Sequence, residues 1–187
     1  MFKQRLLVYV MLCVSLGIGV SAAANGRFIG ELVLRMDDDG RNATVVQPFG
    51  YVDPEGREWP VPVNTVVDGA SIPRPLWSIV GSPWTGLYRK ASVIHDRYCD
   101  IKDRGWRNVH KVFYDAMLTE GLGLIQAKIM YAAVLQFGPK WKKEFGVDGK
   151  PHLVTYQPPF DQKRLDQTVN WIKSDNPDIN EIDALVN

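Results

Sequence analysis

The sequence predicts an α+β domain: a small sheet of N-terminal antiparallel β hairpins packed on a C-terminal bundle of three to four helices. Three observations carry that expectation. Up to Val67 the chain is a series of extended runs rich in strand formers, cut by Gly, Pro and Asp clusters. From Leu87 to Phe137 it holds three segments with helical apolar spacing or uniform apolarity. The strands precede the helices and do not alternate with them, which argues against parallel βαβ units.

The strands are read in order. Phe28 to Leu34 is the first, with imperfect alternation, and Asp37 to Gly40 is a turn. Thr44 to Val52 is the second, where Pro48 marks an edge or a bulge because it lacks an N–H. Asp53-Pro54-Glu55-Gly56 turns the chain into Glu58 to Val63 and Thr65 to Val67. A short helix is expected over Pro73 to Val80, capped by Ser71. Gly81 to Gly86 is a loop. Leu87 to Ile101 places Ala91, Ile94, His95 and Tyr98 on one face, and Lys102 to Gly105 is a polar break. Trp106 to Thr119 carries Val109, Phe113, Ala116 and Met117 on one stripe. Leu122 to Phe137 is apolar nearly all round, as a buried central helix must be. The single α+β domain is set at residues 25–145. Residues 146–187 read as a polar, Pro-containing tail with one short helix over Arg164 to Lys173.

Residues 1–24 have the form of a cleaved secretory signal peptide. Lys3 and Arg5 begin it, Leu6 to Val20 is its apolar stretch, and Ser21 to Ala24 is a small-residue cleavage site. A secreted or periplasmic protein is therefore expected, with no stable membrane span once the signal is removed. The full chain of 187 residues has 22 basic and 21 acidic side chains. Loss of Lys3 and Arg5 turns its charge slightly negative, which argues against a nucleic-acid partner. Loss of Cys13 leaves Cys99 alone, so no internal disulfide is expected. Its expected state is a buried thiol.

Ionisable residues on apolar helix faces mark the candidate site. His95 lies on the face of Tyr98, with Asp96 directly after it. His110 precedes Phe113, Tyr114 and Met117 at spacings of three, four and seven, on the apolar stripe of the next helix. Two antiparallel helices would bring His95 and His110 together. Asp68 and Ser71 stand where the last strand meets the first helix. Three uses of this set compete. His95 can serve as a general base, oriented by Asp68, with Asp96 holding a cation. Alternatively, His95, Asp96 and His110 ligate a transition metal. In the third use the cluster is a structural knot, and Asp68 and Ser71 are cap residues. Cys99 as the nucleophile of a cysteine protease is disfavoured, because it sits late in its helix, where the dipole does not lower a thiol pKa. No G-x-S-x-G, P-loop, H-E-x-x-H or Cys-x-x-Cys is present.

Val61-Pro62, the run from Thr65 to Pro73, Ala91 to Asp96 and Val112 to Met117 together resemble the bacterial and phage family catalogued as domain of unknown function 1353. The likeness covers Phe28 to Lys140. That family usually carries an Asp three residues before the Phe of its last motif, where this chain has His110. If the position orients a catalytic histidine, the exchange removes a carboxylate. If it binds metal, the resemblance implies a shift from calcium towards zinc. Gly81 to Tyr98 also resembles the loop and His-Asp-x-x-Tyr helix of secreted calcium-dependent phospholipases, again with His110 in place of the supporting Asp and without their disulfides.

Two functions are expected from this set. One is a secreted, metal-assisted hydrolase of an envelope lipid ester or cell-wall bond. His95, Asp68 and His110 would be its catalytic residues, and Asp96 would ligate Ca or Zn. Ser71, Tyr98 and Trp84 would contact substrate, with Trp77 and Trp106 near the rim. The other is a non-enzymatic envelope or phage-derived binding protein in which the cluster is structural.

Overall fold

The computed structural model describes residues 26–38, 42–68 and 86–186. The signal expected over 1–24, the helix expected over Pro73 to Val80, Ser71, Trp77 and Trp84 lie outside the described residues. Within them the fold is α+β, with strands mostly N-terminal and helices packed after them.

Six short strands form two three-stranded antiparallel sheets. They are β1 (Arg27–Ile29), β2 (Leu34–Met36), β3 (Ala43–Val45), β4 (Phe49–Val52), β5 (Glu58–Val61) and β6 (Val66–Val67). One sheet has the order β1-β4-β5 and the other β2-β3-β6. The long strands expected from Phe28 and from Thr44 are each cut in two. Gly30 (φ 74°) takes a left-handed turn between β1 and β2, a conformation open to glycine. Pro48 interrupts the other run, and the chain passes there from one sheet to the other. A buried network fastens the β4–β5 turn. Asp53 accepts hydrogen bonds from the Trp59 indole (2.9 Å), the Arg57 backbone N–H (2.8 Å) and Arg57 Nε (2.7 Å).

Three helices follow: α1 (Arg89–Ile101), α2 (Trp106–Glu120) and α3 (Leu124–Phe137). Lys102, in the left-handed region (φ 52°), closes α1 and begins the sharp return into α2. No side chain of its own caps α1. The carboxylate of Glu120, at the far end of α2, accepts from the backbone N–H groups of Lys90 (3.0 and 3.1 Å) and Ala91 (3.2 Å). This remote cap fixes the antiparallel register of α1 against α2. On one side α1 packs against β5 and β6; α2 touches β1 and packs against α3. From Ala127 to Phe137 every side chain of α3 is buried, polar Lys128 and Gln136 included.

The chain beyond α3 folds back onto it. A hairpin, β7 (Lys140–Phe145) and β8 (Pro151–Tyr156), pairs in register from Lys140 opposite Tyr156 to Phe145 opposite Pro151. Then come α4 (Gln162–Asp175), capped by Asp161, and α5 (Ile179–Asp183), opened by a capping box of Asp178 and Glu181, with a 3₁₀ turn at its end. Leu165, Ile172 and Ile182 are fully buried, and both helices pack on α3. Within the segment read as a polar tail with one short helix, α4, α5 and the closing 3₁₀ turn pack on α3 and cover it. Among the described residues no helix is long and apolar enough to cross a membrane.

Candidate functional site

The return at Lys102–Gly105 and the remote cap at Glu120 bring the middle of α1 against the start of α2. His95 and His110, both wholly buried, face each other there, with His95 Nε2 2.8 Å from His110 Nδ1. Cys99, one turn after His95 on the same helix, places Sγ 3.6 Å from the same Nε2. These three ligand-type atoms all lie within 4.8 Å of one another. Phe113 stacks on His95 with ring centroids 4.7 Å apart, and Trp106 meets His110 edge-on at 5.6 Å.

Burial sets the electrostatics. It drives the pKa of His95 well below the ordinary imidazole value, so the ring is neutral at pH 7. The same desolvation lowers His110, and the neighbouring His95 adds to the effect. The Pro139 carbonyl beside the His110 ring pulls weakly the other way. Neither His95 Nδ1 nor His110 Nε2 makes a well-formed hydrogen bond among the described residues. One of the two facing nitrogens must carry hydrogen and the other accept it.

The cluster adjoins an open cleft of about 490 Å³. Its lining includes Asp68, Asp96, Cys99, Asp100, Pro139 and Gln157. Cys99 therefore belongs both to the buried cluster and to the cleft wall. The three carboxylates give the cleft an acidic wall, with Lys102 as a counter-charge.

The model of a protein family described as "Protein of unknown function (DUF1353)" matches residues 43–134. Over these residues the chain resembles the DUF1353 family. The match runs from β3 through most of α3 and so contains every described member of the cluster. Two relatives come from Sinorhizobium fredii, and both are described as uncharacterized. The chain is 43% identical to protein y4jT over 137 residues, 70% of this chain and 41% of that protein. It is 40% identical to protein y4iH over 144 residues, 70% of this chain and 60% of that one. The chain thus spans less than two thirds of either relative. No solved structure matches it.

Within the matched residues the sequence-predicted residues separate into two groups. His95 and His110 meet directly, while Asp96 and Asp68 line the adjoining cleft. Tyr98 lies elsewhere. Its ring packs edge-on against Trp59, and its hydroxyl donates to the Pro60 carbonyl (3.3 Å), so it braces α1 on β5. Trp106 packs beside His110 under the Lys140 ammonium. Sequence reasoning passed over Cys99 as a partner of His95, although the i,i+4 spacing that unites them was readable. Asp100 and Gln157 were also missed. The first is an ordinary exposed helical residue, and the second comes from the segment after β8.

Proposed function

We propose that this protein is a metal-assisted hydrolase acting outside the cytoplasm on a lipid ester or a cell-wall bond. The observation that carries the reading is Cys99's double position. It ties a neutral imidazole pair to an open cleft lined by Asp68, Asp96 and Asp100. Hydrolysis needs a proton acceptor for water and a positive charge for the developing oxyanion. His95 is neutral and steered by His110 through Nε2, and its Nδ1 has no partner among the described residues. His95 Nδ1 is buried, so the reading requires the cleft to open to it; as water adds to the carbonyl carbon, the imidazole then takes its proton and returns it to the departing alcohol or amine. The cleft carboxylates suit a hard cation of the calcium kind, which when bound would polarise the carbonyl. Export rests on the signal-like residues 1–24.

The complete burial of His95 against Phe113 favours a second reading, a non-enzymatic envelope or phage-derived binding protein with a structural cluster. One experiment separates the two. The purified protein is assayed on phospholipid vesicles and on peptidoglycan, with calcium, with zinc and with neither, beside His95→Ala. The hydrolase reading expects metal-stimulated turnover that His95→Ala abolishes. Equal absence of turnover in both proteins on every substrate, with a large fall in the Tm of the variant, leaves the second reading.

A further inference from the structure

We infer that His95, Cys99 and His110 form a binding site for a divalent metal of the zinc class. The inference shares His95 with the hydrolase reading but stands without it.

The donor set is two imidazoles and a thiol, with no described carboxylate among the three ligand atoms. Such soft and borderline donors select zinc, cobalt or their neighbours over calcium and magnesium, which require oxygen. Two of the ligands sit at i and i+4 on one face of α1, the spacing that points two side chains at one ion. The third comes from the helix that Glu120 locks in register.

Two of the three ligand-atom separations are near those of a coordinated ion, and the third is within 4.8 Å. Bond lengths of ~2.0–2.1 Å to nitrogen and ~2.3 Å to sulfur in a tetrahedron place N and S ~3.6 Å apart and two nitrogens ~3.3 Å apart. The Cys99–His95 separation of 3.6 Å already has this value. The two imidazoles, at 2.8 Å, need to part by about half an ångström.

Proton bookkeeping also closes. Both facing nitrogens must present lone pairs to an ion, so the hydrogen between the rings must move to an outer nitrogen. The ring that accepts this hydrogen already carries its own on the outer nitrogen, and the donating ring has its outer nitrogen, His95 Nδ1 or His110 Nε2, open to receive it. The thiol proton leaves to solvent, giving a thiolate and one proton released per ion bound. Cys99 supplies the path of entry, since it also lines the open cleft. An ion on His95 Nε2 removes that residue as the proton acceptor of the hydrolase reading. Asp96 or Asp68 would then take the proton from water.

The test uses the purified full-length protein, stripped with a chelator. Zinc is titrated against a chromophoric competitor, and cobalt(II) is added as a spectroscopic probe. The expected result is one equivalent of tightly bound metal and one proton released. Cobalt should give tetrahedral visible bands and a thiolate-to-cobalt charge-transfer band in the near ultraviolet. Cys99→Ser should weaken zinc by at least ~100-fold, beyond the ~10–100-fold typical of a lost outer partner, and should remove the charge-transfer band. Failure of folded wild type to bind one equivalent overturns the inference, as does a cobalt complex without the thiolate band. Zinc held equally by Cys99→Ser does the same. The wild-type cobalt spectrum decides the matter even if the variants do not fold. Zinc binding without hydrolysis upholds the site and removes the hydrolase; calcium-driven hydrolysis without zinc binding does the reverse.

Discussion

Acid should unfold this protein earlier than a domain of its size without buried histidines, and the imidazole pair should be the cause. Desolvation holds both His95 and His110 far below the ordinary value near 6.5. A lowered histidine pKa means that the unfolded chain binds the proton and the native chain refuses it. The stabilising contribution is therefore complete above pH 6.5 and is lost as pH falls below it. Each histidine costs ~1.4 kcal/mol per pH unit once well below 6.5. For two of them the loss between pH 7.5 and 5.5 is about 2.7 kcal/mol, a large share of a stability of ~5–15 kcal/mol. Asp115 and Glu120 work against it, since burial raises both, but they are common to wild type and variant. Exposed His152 is also common to both. Urea unfolding of wild type and His110→Gln at the two pH values, with chelator present, isolates the effect by subtraction. The variant should lose about 1.4 kcal/mol less on acidification than wild type. Identical pH dependence in the two proteins would refute the reasoning.

Three further outcomes are expected. Asp53→Ala should cost about 2–4 kcal/mol in chemical denaturation, because it strands the buried Trp59 indole N–H and leaves the Arg57 guanidinium with Glu55 alone. Burial alone would raise the Asp53 pKa, but the bonds from Trp59 and Arg57 outweigh it and hold the group below its usual value. Gly138→Ala should cost about 1–3 kcal/mol, since its Cβ would stand 2.5 Å from the Val134 carbonyl oxygen and 3.2 Å from His110 Cε1. The same substitution should weaken zinc binding measurably, which a purely local helix-end effect would not do. Removal of residues 157–187 should expose α3 and abolish cooperative unfolding in circular-dichroism melts, because Leu165, Val169, Ile172 and Ile182 cover that helix.

Much of this was legible in the chain. The apolar stripe of Trp106–Thr119 and the polar break before it foretold an antiparallel helix pair, and with it the meeting of His95 and His110. The uniform apolarity of Leu122–Phe137 foretold a helix covered on all sides, though not what covers it. That cover escaped notice because α4 and α5 present many charges outward and bury only Leu165, Thr168, Val169, Ile172 and Ile182. The Asp178-x-x-Glu181 capping box was a readable signal for α5. The β7–β8 hairpin was hidden because Lys140, Lys142, Lys143 and Glu144 make a poor strand pattern, and only the Asp148-Gly149 turn announced it. Tyr98 could not be placed from periodicity, which gives a face but not the neighbour on that face. Cys99 was expected to be a buried thiol, as it is, but its spacing from His95 was the guide to its neighbour.

The weaving of the strands has a consequence for how the protein is made. The chain visits one sheet with β1, the other with β2 and β3, returns for β4 and β5, and leaves again for β6. The hairpins β2–β3 and β4–β5 pair neighbours in the chain, but the first sheet is complete only at β5 and the second only at β6. The two sheets are therefore expected to form as one interleaved unit, since each is completed only after strands of the other have been made. Amide exchange should report the same unity. Protection at Tyr51 in one sheet and at Thr44 in the other should rise and fall together as denaturant is added, as belongs to one cooperative unit.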